Sequence, residues 1–322
     1  MYFCESEFWD TNLTWYTNTP QLTSCFQATV LVYTPALTLV VFGLWDLNTC
    51  YHSKSRTVPW SRPLLSKLIL TSLSLALALL ELVSAIYTYT TVDTMFLADI
   101  LAPLVNILSY LISLILLVTN KHFGQVISVA LFLFWTANSL CLGLSLVSEA
   151  FGSYEDLPIT DLVLLISNLL ISFIMFLLNC FADMHPLYTE WDEQTDENDC
   201  PRKFASVPSR ILLSWMDSLL IKGYRKPLTQ ADLWNLNPED RLTTTVPALE
   251  KKLDKDNISI LATLFKCHWK TFILLTLLYI SKTLLSLVNP QIIDMVISFV
   301  EEDQETWKGY LYMILFGGVT LG

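Results

Sequence analysis

Charge is scarce in this sequence: of 322 residues only 15% are Asp, Glu, Lys or Arg, while 53% are hydrophobic and the mean hydropathy is +0.49. A soluble domain ordinarily carries about a quarter of its residues as charges, so the balance excludes that class and points to a membrane protein. The seven cysteines fall singly, with no C-x-x-C pair and no His-rich spacing, which leaves neither a zinc framework nor a redox pair. None of the nine glycines precedes a lysine, so the Gly-Lys-Ser or Gly-Lys-Thr end of a phosphate-cradling loop is missing from these residues. The opening stretch through Cys4, Glu5, Glu7 and Asp10 has no basic segment leading into a short apolar core, and no cleavable signal peptide is read there. A net charge of -11 argues against a nucleic-acid partner. No residue is assigned a catalytic role and none a metal.

Long apolar runs are what the chain has instead. A bilayer core takes about 20 mostly apolar residues in helical form, because every backbone group must be satisfied without water. Five runs meet this length, near Gln27 to Leu47, Ser66 to Thr88, Leu97 to Val118, Val126 to Val147 and Ile159 to Cys180. The short polar loops between them, with Pro59, Pro63, Gly152 and Pro158, read as the turns of tight helical hairpins. A sixth run spans Thr271 to Val300 with Pro290 inside it, and a seventh begins near Gly309 and is read as a span cut short at Gly322. The expected class is therefore an all-α integral membrane protein.

Lys and Arg alternate between loops. Residues 1–26 have none, the first loop has Lys54, Arg56, Arg62 and Lys67, the second has none, Lys121 marks the third, and the fourth carries only Glu149, Glu155 and Asp156. Basic loops stay on the cytoplasmic side, which puts the N-terminus outside the cell. Asn12-Leu13-Thr14 in that tail is a glycosylation sequon at Asn12. Cys4 and Cys25 share the same exterior tail and are read as a disulfide, the alternative being two free thiols.

Hydrophobicity drops from Asp183 to about Lys270. The acidic run from Glu190 to Asp199 reads as a solvated linker. Ser209 to Lys222 places Leu212, Trp215, Met216, Leu219 and Leu220 at helical spacing, which predicts one amphipathic helix of about four turns, capped by Ser209 and stopped at Gly223. Basic residues flank its apolar stripe, as suits docking on lipid or on membrane helices. Asn237 and Pro238 are placed to start a short helix, and Ile258 to Trp269 reads as a second interfacial helix, an elbow leading into the next span.

Lys282 lies mid-span, where an unpaired ammonium is costly and faces a cavity or a partner, with an interhelical ion pair as the alternative. Glu81 reads as structural, and Asn106, Asn138 and Asn168 as interhelical hydrogen-bonding residues.

The run Gly223-Tyr224-Arg225-Lys226-Pro227-Leu228, followed by Asp232-Leu233-Trp234-Asn235-Leu236-Asn237-Pro238-Glu239-Asp240, resembles the linker of multidrug resistance-associated proteins, the subfamily C ABC transporters. Trp9-Asp10, Asn12-Leu13-Thr14-Trp15, Cys25 through Val32, Cys180-Phe181-Ala182-Asp183 and Asn289-Pro290-Gln291-Ile292 resemble the long members in the same order. The resemblance implies a five-helix accessory membrane domain at 1–182, a lasso-like cytoplasmic linker at 183–256, and an elbow with the first exporter-core helices at 257–322, broken off before the rest. It implies an ATP-dependent exporter of organic anions, such as glutathione, glucuronide and sulfate conjugates, and of xenobiotics. ATP and Mg would bind in nucleotide-binding domains that these residues do not contain. Its partners would be lipid, anionic conjugates and the remaining domains of the same transporter, with the plasma membrane as its place and a vacuolar or lysosomal membrane as the alternative. Basic residues on the first core helix of similar transporters contact anionic conjugates; the family's lysine position, counted back from Pro290-Gln291, is Tyr279 here, and Lys282 lies one turn on. Both become candidate substrate-binding residues, and Leu212, Trp215, Leu219 and Trp234 candidate linker-docking residues. A second reading from another class is a regulatory or trafficking module, since similar five-helix domains in sulfonylurea receptors tune a potassium-channel subunit.

Overall fold

A computed structural model describes residues 3–4, 6–52, 60–92, 96–125, 127–152, 159–181, 200–235, 246–247, 260–302 and 304–321. The acidic run at 190–199 and the Asn237-Pro238 start lie outside the described residues. The regular structure among those described is helical, and the chain divides into two compact units, Met1–Asn235 and Leu236–Gly322.

Five helices long and apolar enough to cross a membrane build the first unit: α1 (Ser24–Tyr51), α2 (Arg62–Val92), α3 (Leu97–His122), α4 (Val129–Phe151) and α5 (Ile159–Asn179). They overlap the five predicted runs. The helices extend beyond the apolar windows because polar residues serve their ends. Ser128 caps α4 by accepting from the Leu131 amide, and α3 closes on Gly124 in the left-handed region, φ 71°, with the Gln125 amide donating back to the Asn120 carbonyl at 2.9 Å. Arg62 and Lys67, expected as loop charges, belong to the first turns of α2.

Pro35 lies inside α1, where its ring crowds the carbonyl four residues back and removes one hydrogen bond. The turn from Gln27 to Leu31 directly before it widens to a π-helix, which accommodates the lost contact. Hydroxyls within the spans bond to their own helix: Thr71 donates to the Lys67 carbonyl at 2.7 Å and Thr119 to the Ile115 carbonyl at 2.7 Å, so neither needs a partner from lipid.

The principal helix contacts are α1 with α3 and α4, α2 with α3 and α5, and α4 with α5, which close a five-membered ring. This corrects the expectation of hairpins throughout, because α1 and α2, or α3 and α4, are consecutive without being ring neighbours. Five spans of alternating direction cannot alternate around a ring, so one neighbouring pair must run parallel. That pair is α1 and α3, whose C-terminal ends meet where the Cys50 thiol donates to Asn120 Oδ1 at 3.2 Å. The interior is aromatic at its centre: Trp135 is fully buried and stacks on Tyr110 with ring centroids 5.8 Å apart, with Phe134 edge-on to both.

In the second unit α8 (Ile260–Ser286) has non-helical backbone at His268, φ -116° and ψ 18°, near the end of the predicted elbow, and the apolar span runs from His268 to Glu301. Pro290 does not kink a continuous helix there. It sits in the first turn of a new one, α9 (Asn289–Glu301), where its missing amide costs nothing. That helix turns back into α10 (Thr306–Leu321), and Gly309 admits the Phe299 ring, since a Cβ there would lie 2.7 Å from Phe299 Cζ.

Candidate functional site

The linker residues of the first unit fold into a small clasp rather than one amphipathic helix. Ser206 caps α6 (Val207–Ile211), Leu213 takes a left-handed backbone with φ 57°, Ser214–Met216 forms a tight turn, and α7 (Asp217–Arg225) follows. Ser209 therefore lies inside α6 instead of capping a helix. Gly223 is inside α7 and does not stop it. The stop comes at Lys226, extended at φ -150° and ψ 152°, because the following Pro227 disfavours helical backbone in the residue before it. Gly223 has another use: a Cβ there would sit 3.1 Å from Leu228 Cδ1, so its bare Cα lets Leu228 fold back on the helix.

Asp232 ties the clasp together. Its Oδ1 receives the Lys222 ammonium at 2.5 Å and that of Lys226 at 3.4 Å, and its Oδ2 accepts from the Thr229 amide at 3.1 Å and hydroxyl at 2.8 Å. The hydrogen bond from Lys222 leads these effects, with Thr229 next, and together they hold the carboxyl well below the ordinary carboxylate range. The turn fixed in this way carries Trp234, whose ring lies 5.9 Å from that of Trp215. Of the four candidate docking residues, Trp215 and Trp234 pack on each other, Leu219 is half-buried and Leu212 is exposed. The outward apolar surface is a different set: Leu212, Leu220, Ile221 and Tyr224.

Lys282 and Tyr279 both stand exposed on α8, one turn apart and so on one side of it. The Thr283 hydroxyl donates to the Tyr279 carbonyl at 2.8 Å. Within the second unit the pair presents an ammonium and a phenol ring outward.

The tail of the first unit is ordered by its own chemistry. Cys4 and Cys25 are joined by a disulfide, the Cys25 amide donates to Ser6 Oγ at 3.1 Å, and Phe8 and Trp9 lie against Phe26. Leu22, Gln21 and Gln27 bond to Ser148, Phe151 and Glu149 at the end of α4. Asn12 is exposed in a single helical turn, Thr11–Thr14, whose Thr14 hydroxyl donates to the Asp10 carbonyl at 2.8 Å.

Inside the ring the polar residues pair across helices. Asn168 Nδ2 donates to Glu81, with Asn106 a second hydrogen-bonding neighbour of that carboxyl, and Asn138 Nδ2 donates to Ser172 Oγ. The bonds of Glu81 and these asparagines are those of a helix-to-helix frame. Two residues have roles that the sequence barely signals. Asp232 is marked only by its i, i+3 spacing from Thr229. Lys67 has the position of a loop charge, yet only 3% of it is exposed.

A family model described as the ABC transporter TMD0 domain matches residues 1–166. The chain is 27% identical to mouse ATP-binding cassette sub-family C member 3 over 95% of its own length and 22% of that protein. Rat member 3 is 31% identical over 73% of the chain and 16% of its own length, and mouse member 2 is 25% identical over 99% and 24%. The chain thus spans less than a quarter of these curated relatives.

Proposed function

The chain belongs to the ABC transporter TMD0 family and is a region of a sub-family C ABC transporter, and on that premise we propose that it supplies the accessory membrane domain, linker and first core helices of an ATP-driven exporter of organic anions. Glutathione, glucuronide and sulfate conjugates and anionic xenobiotics are the substrate class. The observation that carries this reading is the reach of the likeness: it extends over 95% and 99% of the chain, well past the accessory domain at 1–166. A module that only regulated a partner would have no need for the linker and the helices beyond it.

The residues of this chain do not fit a nucleotide triphosphate, since no glycine is followed by lysine and no phosphate-cradling loop can form. ATP and Mg belong to other domains of the transporter. What this chain offers a substrate is charge and surface. Lys282 presents an ammonium from the middle of an apolar span, where an anion neutralises it, and Tyr279 places a ring one turn away for the conjugate's apolar part. Export requires that this contact be stronger in one conformation of the core than in the other. The exporter sits in the plasma membrane with its N-terminus outside, and Asn12 carries a glycan.

Lys282→Glu in the complete transporter tests the substrate role. Uptake of a glutathione conjugate into inside-out vesicles should fall by at least about tenfold, the worth of a charge-assisted contact, with surface expression retained. Unchanged uptake contradicts the assignment.

A further inference from the structure

The five-helix ring holds a carboxyl group deep in its membrane thickness, far from any basic residue. Glu81 lies about 16 Å along α2 from its end at Val92, and its partners Asn106 and Asn168 stand about 14 Å inside α3 and α5. The three side chains therefore meet at one depth. No Lys, Arg or His occurs from Met1 to Tyr51, between Lys67 and Lys121, or between His122 and His185. On α2 itself the basic end at Lys67 is about 21 Å from Glu81, beyond the reach of a side chain. The helices packed against α2 are α3 and α5, and their titratable residues short of Lys121 are Asp99, Tyr110 and Asp161. None of these brings positive charge. Glu81 is half-buried, and what the ring leaves uncovered of it lies at the depth of acyl chains rather than of water.

Asn168 shows what the carboxyl carries. This residue is 4% exposed, and its Nδ2 donates to Glu81 Oε1. Its Oδ1, on the same carbon as that donor, is buried and has no partner among the described residues. A buried acceptor without a donor is uncommon in a folded protein. With no surface open to water or to an entering ligand, Oδ1 has to be met by a group already lying against the amide. Asn106 is engaged with the same carboxyl, which leaves Glu81 itself. An ionised carboxylate only accepts, so it pairs with one end of the Asn168 amide and orphans the other, whichever way the amide is turned. A protonated carboxyl pairs with both ends, accepting at one oxygen and donating from the other. It also removes the charge that an apolar surrounding with no counter-ion penalises most.

We propose that Glu81 is a proton-binding site, a neutral carboxylic acid that accepts from Asn168 Nδ2 at Oε1 and donates from Oε2 to Asn168 Oδ1. The proton comes from water as α2 enters the bilayer and stays with the carboxyl. It adds a second, reciprocal hydrogen bond between α2 and α5 and makes the site a latch that closes only on the protonated form.

The experiment is infrared difference spectroscopy of the full chain in phosphatidylcholine nanodiscs at neutral pH, wild type against Glu81→Gln. Glutamine offers one donor and one acceptor where the neutral acid does, so the Tm should stay within about 2 °C of the wild type. The difference should show the loss of one protonated-carboxyl C=O band with the carboxylate bands unchanged. Asn168→Leu, compared with the wild type in the same way, should keep that band and move it to higher frequency, as follows when the acid loses its hydrogen bonds. This second variant keeps the test decisive if Glu81→Gln does not fold. Loss of carboxylate absorption in Glu81→Gln, or a protonated-carboxyl band that Asn168→Leu leaves in place, overturns the proposal.

Discussion

The two units treat the same kind of helix differently. In the first, between 17% and 33% of the most apolar stretch of each span is buried, whereas none of the most apolar stretch of the span from His268 to Glu301 is buried in the second. Exposed leucine is no cost in lipid, so the fraction of apolar surface buried says little about whether either unit is content. Polar groups say more. Glu81, Asn138 and Asn168 find partners on other helices of the ring, whereas Lys282 stands exposed in the middle of its span. The ring thus pairs these polar groups across its own helices, and the second unit holds out a charge for something else to meet.

The widest separation between the units should come from truncating an interior side chain. Trp135→Ala removes the fully buried ring stacked on Tyr110 and should cost about 3–5 kcal/mol in the unfolding of the five-helix unit. The matching change Leu278→Ala, in the exposed face of α8, should stay within about 0.5 kcal/mol. Equal effects would end the distinction between a packed ring and an unpacked span. Next in size is the disulfide. Cys4→Ser closes no loop across the 21-residue separation to Cys25, and the unfolding free energy should drop by about 3 kcal/mol, seen also when the wild type is reduced.

A smaller effect tests the polar frame itself. Asn168→Leu should destabilise by about 1–2 kcal/mol, and adding Glu81→Leu to it should cost less than the two single changes summed, since they share one hydrogen bond. Full additivity would show that the pair is not coupled. The smallest effect is local, in the clasp. The Asp232 carboxyl is held below its ordinary range by Lys222 and Thr229, so its contribution is fully present above the unfolded carboxylate pKa of about 4 and is lost as the pH falls through the lowered folded value. Hydrogen exchange at the Thr229 and Asp232 amides should therefore stay protected across neutral and mildly acidic pH, and Asp232→Asn should speed it at neutral pH. Protection lost near pH 5 in the wild type would contradict the clasp.

The five spans are legible in the sequence, because apolar runs long enough to cross a bilayer need no tertiary information to be recognised. Their neighbours do not follow, because the polar residues that mark an inward face, such as Ser109, Ser113 and Asn120 on α3 or Asn168, Ser172 and Asn179 on α5, do not say which helix that face meets. Only pairs such as Cys50 with Asn120, or Asp46 with Ser128, settle the ring order. The break at Leu213 has no sequence signal, since no glycine or proline stands there to mark a left-handed backbone. Pro227 is the residue that stops α7, and the nearby Gly223 imitates a helix stop while its small size in fact serves Leu228. Lys67 and Arg62 show that charges at the edge of an apolar run can lie inside the helix rather than in the loop.

On the proposed reading as an exporter, the five-helix ring and the linker clasp of the first unit divide the labour, transport depending on the clasp and not on the ring. Conjugate uptake by inside-out vesicles tests it when residues 1–182 or residues 209–223 are deleted from the complete protein. Loss of the ring should leave most of the uptake in place, and loss of the clasp should abolish it. Uptake that survives without 209–223, or that vanishes with 1–182 while the protein still reaches the membrane, would contradict that division.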